Sequence, residues 1–141
     1  RLYQVFGPKQ DLNRFIPITI DGCLKDKKFP CSDGTQLRDF IYVDDVVNAI
    51  IKSLRNKKSK GEILNIGTGK PKKIKNIVKL IKKKIQKGKP LFGKILLRKD
   101  EKMKFYPNIQ KAKNTINWYP KVSFKIGLEN TVKSYKKIYF E

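Results

Sequence analysis

Residues 34–47 read Gly34-Thr35-Gln36-Leu37-Arg38-Asp39-Phe40-Ile41-Tyr42-Val43-Asp44-Asp45-Val46-Val47. They begin at the end of a strong turn signal, Ser32-Asp33-Gly34, and residues 36–42 favour an extended strand. Asp44 or Asp45 then suits the cap of a helix, because a carboxylate accepts hydrogen bonds from the free backbone N–H groups there. Apolar residues continue at helical spacing to Leu54. This stretch therefore predicts a strand that leads directly into a helix, a unit typical of α/β folds.

The flanking sequence repeats this alternation of short strands and amphipathic helices. Strand-like runs occupy residues 1–6, 29–31, 62–66 and 95–97. Apolar spacings of three and four predict helices over residues 14–25, 71–85, 109–116 and 123–139, with Pro71 opening the second and Ser123 as the N-cap of the last. We therefore predict a single α/β region over residues 1–141, with more helix than strand.

The chain begins at Arg1 inside a strand-like run, Arg1 to Phe6, with no preceding polar segment. A strand in this position needs a neighbouring strand to bond its backbone groups. We therefore expect that part of the sheet lies outside these 141 residues, and that their stability depends on it.

The composition excludes several classes of active site. The chain has no histidine, which excludes Ser-His-Asp and Cys-His nucleophile systems and histidine-containing zinc sites. Its two cysteines, Cys23 and Cys31, form neither a C-x-x-C pair nor a disulfide framework, which favours a reducing cytoplasm. We expect no membrane span, because no run of about 18 apolar residues is present.

The charge leaves one alternative function open. A net charge of +22 is compatible with a non-catalytic module that binds nucleic acid. The lysines are scattered from Lys9 to Lys137 without an aromatic-spaced stripe, which argues against that alternative. A planar guanidinium binds phosphate through two parallel hydrogen bonds, so the few arginines are candidate anion ligands. Only five of the 34 basic residues are arginine: Arg1, Arg14, Arg38, Arg55 and Arg98.

No complete catalytic set is present in the sequence. Gly67-Thr68-Gly69 lies between a predicted strand and a predicted helix, but a dinucleotide-binding fingerprint needs a third glycine where Lys72 stands. We interpret it as a plain strand-to-helix turn. Asp44 and Asp45 are adjacent and point in different directions, so a paired acid and base is not expected. None of the six tyrosines begins a Tyr-x-x-x-Lys pair.

Four segments together resemble the extended short-chain dehydrogenases of the epimerase/dehydratase family, which act on nucleotide sugars. Residues 34–47 are similar to the family motif G-x-x-x-R-D-F/Y-x-x-V-x-D. Residues 1–8 resemble R-x-x-N-x-Y-G-P, and residues 64–69 resemble Y-N-I-G-S-G. Lys111-Ala112 with Trp118-Tyr119-Pro120 resembles K-A…L-G-W-x-P. The four segments lie in the family's order and spacing, and the resemblance covers essentially the whole chain.

This resemblance implies a fold and an anion site. The fold is the C-terminal, substrate-binding portion of an extended Rossmann-type α/β structure, with small strands and several packed helices. Arg38 and Arg98 would hold the diphosphate of a nucleoside diphosphate sugar, and Glu101 would lie near the ribose. Asn108 replaces the aspartate that the family carries before Lys111, a change that we expect to affect only a helix cap.

Four further residues are assigned to substrate binding by the same resemblance. Arg14 and Phe15 would contact the nucleotide sugar, and Phe40 would lie near its base or sugar. Gln4 stands where the family usually has an asparagine that reaches the substrate, which leaves the identity of the sugar open.

The resemblance also implies a cofactor-binding half outside this chain. Family members bind NAD or NADP through an N-terminal Rossmann domain that carries their Ser/Thr, Tyr and Lys catalytic residues. The implied reaction is transient oxidation of a sugar carbon, followed by epimerisation, dehydration or reduction, in a homodimeric enzyme. Residues 1–141 would then hold no catalytic residue and be inactive alone. An inactive remnant of such an enzyme is the remaining alternative.

Overall fold

The strand-to-helix unit expected at residues 34–47 is present in the computed structural model, which describes residues 1–140, with the side chain of residue 140 excepted. The strands are β1 (Gln4–Phe6), β2 (Lys28–Pro30), β3 (Leu37–Arg38), β4 (Phe40–Tyr42), β5 (Lys72–Lys73), β6 (Lys89–Leu91) and β7 (Lys104–Phe105). The helices are α1 (Phe15–Leu24), α2 (Val43–Arg55), α3 (Ile74–Ile85), α4 (Gln110–Ile116) and α5 (Phe124–Phe140), and a 3₁₀ turn spans Lys57–Ser59.

The strands form three small sheets. β1 pairs in parallel with β4, so that Gln4 lies opposite Phe40. β2 pairs in parallel with β6. β3 lies between β5, which is antiparallel to it, and β7, which is parallel. The predicted fold class, small strands with several packed helices, is confirmed.

Two buried clusters hold these elements together. The first lies between α1, α3, α5 and the β1–β4 pair, and includes Phe6, Ile20, Ile81 and Leu128. The second lies beneath α2 and α4 and is centred on Trp118, which is fully buried. The indole N–H of Trp118 donates to the backbone carbonyl of Asp45 at 3.1 Å, which joins the C-terminal segment to α2.

Three local predictions are wrong. Residues 62–66 form no regular strand but contribute one parallel bridge, between Leu2 and Ile66. Residues 95–97 form no strand, because the N–H groups of residues 94 and 95 both bond the carbonyl of Cys31 and fold the segment back over β2. Pro71 does not open α3, because residues 72 and 73 pair with β3 first.

The prediction that Asp44 or Asp45 caps α2 is also wrong. The helix begins after Tyr42 without a side-chain cap. The buried carboxylate of Asp45 instead accepts hydrogen bonds from the backbone N–H groups of Lys121 at 2.8 Å and Val122 at 2.9 Å. Asp44 is exposed. The predicted N-cap of α5 is confirmed, because the hydroxyl of Ser123 accepts from the backbone N–H of residue 126.

One face of α2 is apolar and uncovered. Of the apolar residues at helical spacing, Val46 is buried, and the small side chain of Ala49 is buried beside it. Val43 is partly buried, whereas four further apolar side chains of this helix are exposed, and that of Leu54 is 82% exposed. They form the outer face of α2, which comprises Val47, Ile50, Ile51 and Leu54.

Candidate functional site

A recess of about 500 Å³ opens between β2, β3, β4, α1, α3 and the loop at residues 92–98. Its size lies within the range of sites that bind small organic ligands. Most of the wall is apolar, and its charged residues are Arg38, Arg98 and Glu101. The apolar wall includes Phe29, Ile74, Val78, Phe92 and Leu96. We call this cavity the arginine recess.

The structure brings the residues assigned from the sequence to this one region. Six of the seven line the arginine recess: Gln4, Phe15, Arg38, Phe40, Arg98 and Glu101. The seventh, Arg14, lines a smaller recess of about 180 Å³ that shares Gln4, Phe15 and Phe40 with the first. The residues come from four separate parts of the chain, so the fold gathers them. Their role in ligand binding stays a prediction.

Arg38 is held in one orientation by its own strand and by Glu101. The backbone of β3 is fixed between β5 and β7, and its Leu37 N–H donates to the carbonyl of Met103 at 2.7 Å. The guanidinium of Arg38 donates to the carbonyl of Leu37 at 2.7 Å and forms an ion pair with the carboxylate of Glu101. A guanidinium has five N–H donors, so further donors remain for a ligand in the recess.

Arg98 lies on the loop beside this ion pair. The backbone N–H of Glu101 donates to the carbonyl of Arg98 at 3.1 Å, which closes a turn between the two residues. Within residues 1–140, the side chain of Arg98 makes no recorded hydrogen bond or ion pair, and it is exposed. The recess therefore presents one anchored and one unpaired guanidinium, an arrangement that suits an anion with several oxygen acceptors.

The carboxylate next to Arg38 has a different role, which sequence reasoning missed. Asp39 is fully buried and points away from Arg38, as neighbouring residues on a strand do. It accepts hydrogen bonds from the backbone N–H groups of Thr68 at 2.9 Å and Gly69 at 2.6 Å. It also accepts the hydroxyl of Thr68 at 2.6 Å. The available sequence signal was an aspartate within the predicted extended run over residues 36–42, but its partner lies 29 positions away.

The turn at residues 67–69 does not fit the diphosphate of a dinucleotide. The N–H groups of Thr68 and Gly69 that would face a phosphate already bond Asp39. A Cβ on Gly67 would come within 2.5 Å of the ring of Pro107, so this glycine serves close packing. The interpretation of the segment as a structural turn agrees with this geometry.

The two cysteines differ in position. Cys31 lines the arginine recess, whereas Cys23 lies on the buried face of α1. Both are free thiols. Burial raises the pKa of Cys23 to about 11, and it also raises the pKa of Cys31 above its ordinary value. Both side chains are therefore neutral at physiological pH.

Residues 1–67 match the family model described as the NAD dependent epimerase/dehydratase family. A CDP-abequose synthase from Salmonella typhimurium is 36% identical over 140 residues, which include 94% of this chain. The chain belongs to this epimerase/dehydratase family. It covers only 46% of that synthase and 43% of a putative UDP-glucose 4-epimerase from Methanocaldococcus jannaschii that is 35% identical to it. This family member thus spans less than half the length of those curated relatives.

Solved structures of family members share its fold. The UDP-glucose 4-epimerase of Thermotoga maritima, solved with UDP-glucose, matches with a TM-score of 0.89 and 31% identity, over 99% of this chain and 45% of the epimerase. The UDP-glucuronic acid 4-epimerase of Bacillus cereus, in complex with UDP-glucuronic acid and NAD, matches with a TM-score of 0.88 and 32% identity, over 99% of this chain and 45% of that protein. The resemblance inferred from the four motifs is confirmed.

Residues 1–140 contain neither a membrane-spanning helix nor a cluster of metal-ligating side chains. Each helix in this range is too short or too polar to cross a membrane. The same residues contain no group of three or more Cys, Asp or Glu side chains that could hold a metal ion.

Proposed function

We propose that residues 1–141 are the nucleotide-sugar-binding part of an NAD(P)-dependent nucleotide-sugar epimerase, dehydratase or reductase. The observation that carries this proposal is the pair of arginines, Arg38 and Arg98, on one ligand-sized recess with Glu101 between them. The relatives support it, since they include epimerases, a dehydratase and decarboxylases whose names specify nucleotide sugars.

The chemistry of the arginine recess suits the three parts of such a ligand. The diphosphate lies between the guanidinium groups of Arg38 and Arg98, each of which can bond two oxygens of a phosphate. Glu101 accepts hydrogen bonds from ribose hydroxyls, which requires its carboxylate to share or leave the ion pair with Arg38. The apolar wall formed by β2 and the loop at residues 92–98 covers the base.

The sugar lies at the other end of the recess, near β1. Gln4 and Phe40 are opposite each other in the β1–β4 register, and both face the arginine recess and the small recess that contains Arg14. The longer side chain of Gln4, in place of the family's asparagine, reaches further toward the sugar. We assign the preference for a particular sugar to this position.

The cofactor and the catalytic residues belong, in this proposal, to a second half of the protein. The exposed outer face of α2 supports it, because an apolar strip on a helix is normally covered. The length of the curated relatives is consistent with a second half, since this chain spans less than half of it. That half would bind NAD or NADP, form the homodimer and cover the outer face of α2. Residues 1–141 alone are then inactive.

Binding measurements on the full-length protein test this proposal. UDP-glucose, CDP-glucose and dTDP-glucose are titrated into the wild type and into the variants Arg38→Gln and Arg98→Gln. We expect at least one of these ligands to bind, and each substitution to weaken it about 10- to 100-fold through the loss of a charge-assisted hydrogen bond. Arg55→Gln, which removes a charge from the exposed end of α2, is the matched control and leaves affinity unchanged. Equal affinity in all four proteins overturns the assignment.

A further inference from the structure

A second, larger recess of about 830 Å³ lies between the segment at residues 68–72, α3 and the start of α5. Phe40, Leu80, Val122 and Phe124 form its apolar part. Most of the other residues that line it are lysines, and no Asp or Glu lines it. The six lysines are Lys70, Lys72, Lys83, Lys84, Lys121 and Lys125. We call this cavity the lysine recess.

Most of these positive charges form no ion pair within residues 1–140, although the charges of both Lys84 and Lys125 lower the pKa of Glu129. Lys84 forms an ion pair with Glu129 at 2.6 Å. The ammonium of Lys72 lies 5.1 Å from the ring centroid of Phe124, a cation–π contact that adds no negative charge. The other four lysines make no recorded ion pair in the described part of the chain.

The fold, rather than the sequence, creates this concentration of charge. The six lysines come from three segments between residues 70 and 125, where the sequence shows only scattered basic residues. Ammonium groups that share one concave surface repel each other, and low-dielectric walls focus their field into the recess. A ligand with several negative charges would relieve that repulsion, and a single carboxylate would relieve little of it.

We propose that the lysine recess is a binding site for a polyphosphate anion, either free or carried by a nucleotide. Lysine binds phosphate as a rotatable point charge, and several lysines can follow a chain of phosphates. The volume of about 830 Å³ fits a small molecule, and a recess of this size differs from the extended basic track that a nucleic-acid backbone needs. The ring of Phe124 and the side chain of Val122 offer an apolar surface for a base.

This site differs from the one assigned to the nucleotide sugar. The two recesses share Phe40, but neither Arg38 nor Arg98 lines the lysine recess. The proposal goes beyond the proposed function and stands without it, because its charges come from other residues.

Titration of the full-length protein with sodium tripolyphosphate and with ATP tests the site. A triple variant of the lysine recess, called the groove variant, carries Lys70→Gln, Lys83→Gln and Lys125→Gln, all at exposed side chains. The control carries Lys57→Gln, Lys58→Gln and Lys60→Gln, which remove the same charge from an exposed turn outside the recess. We expect the groove variant to bind tripolyphosphate about tenfold more weakly than the wild type, and the control to change by less than about twofold.

Each arm of the experiment has a defined meaning. If the wild type binds ATP more tightly than tripolyphosphate, and the groove variant binds neither well, the ligand is a nucleotide. If the wild type binds both equally, the site recognises the phosphate chain alone. Equal weakening in the groove and control variants shows attraction by net charge and overturns the proposal. If Arg38→Gln loses binding while the groove variant binds as well as the wild type, the anion lies in the arginine recess. That result also overturns the proposal. No binding of either anion, or binding of a DNA duplex alone, also overturns it.

Discussion

Asp39 and Thr68, 29 positions apart, are joined by the buried carboxylate of Asp39, which accepts both the backbone N–H of Thr68 at 2.9 Å and its hydroxyl at 2.6 Å. The same carboxylate accepts the N–H of Gly69. Because Asp39 directly follows Arg38, these bonds fix the strand that carries the anchored guanidinium against the turn at residues 67–69. Arg38 therefore faces the arginine recess, whereas the adjacent Asp39 faces the core.

Removal of the Asp39 carboxylate is expected to destabilise the protein strongly. Asp39→Ala removes, at a fully buried position, the acceptor of the N–H groups of Thr68 and Gly69 and of the Thr68 hydroxyl, and should lower the free energy of unfolding by about 3 kcal/mol. Thr68→Val keeps the backbone bonds to Asp39 but removes the hydroxyl, which donates to Asp39 and accepts from the N–H of Lys70 at 3.1 Å, and should cost about 1.5 kcal/mol. Chemical denaturation of the full-length protein measures both. Losses below about 0.5 kcal/mol in both variants would contradict the structural role of this carboxylate.

The two aspartates at the start of α2 should respond differently to the same substitution. Asp45→Asn replaces one acceptor oxygen with an amide that cannot accept from both Lys121 and Val122, so we expect a loss of about 2 kcal/mol in the free energy of unfolding. Asp44→Asn changes an exposed side chain and should cost about 0.5 kcal/mol or less. Thermal or chemical unfolding distinguishes them. Equal losses would mean that Asp45 does not hold the C-terminal segment.

The thiol of Cys31 should report on the occupancy of the arginine recess. Burial raises its pKa, so the reactive thiolate is scarce at neutral pH, and the rate of alkylation by iodoacetamide should keep rising as the pH increases past 9. Cys23 should remain unmodified in the folded protein, because it is fully buried. A bound nucleotide sugar should slow the alkylation of Cys31, as followed by mass spectrometry. Alkylation at the same rate with saturating ligand would place that ligand elsewhere.

The outer face of α2 should behave as an internal contact surface. In a fragment limited to residues 1–141, Ile50→Glu with Leu54→Glu should reduce aggregation and the fluorescence of a bound hydrophobic dye, because it removes exposed apolar area. In the full-length protein, the same pair should lower the free energy of unfolding by about 2 kcal/mol or more. Asn48→Glu, on an exposed polar position of the helix, is the control. No loss of stability in the full-length protein would show that nothing covers this face.

The sequence predicted the helices better than the contacts between them. The buried stripe of α3 and the Ser123 cap of α5 follow from local spacing and local hydrogen bonding, and both are present. Residues 95–97 have the composition of a strand but line the arginine recess as a loop, because their backbone bonds Cys31 rather than a ladder partner. Local pattern carries no information about that distant carbonyl.

The candidate site was predictable in its residues but not in its geometry. The resemblance to the family singled out Arg38, Arg98 and Glu101, and the fold brings them to one recess. The ion pair between Arg38 and Glu101 joins residues 63 positions apart, and sequence spacing cannot specify it. The lysine recess could not be predicted from the sequence for the same reason, since its lysines come together only when three segments of the chain pack against each other.

The most direct test of the central claim is a crystal structure of the full-length protein with the nucleoside diphosphate sugar that binds it most tightly. The account predicts diphosphate oxygens within hydrogen-bonding distance, about 2.7–3.2 Å, of the guanidinium groups of both Arg38 and Arg98, with the base against the loop at residues 92–98. A diphosphate bound in the lysine recess, or in contact with neither arginine, would contradict it.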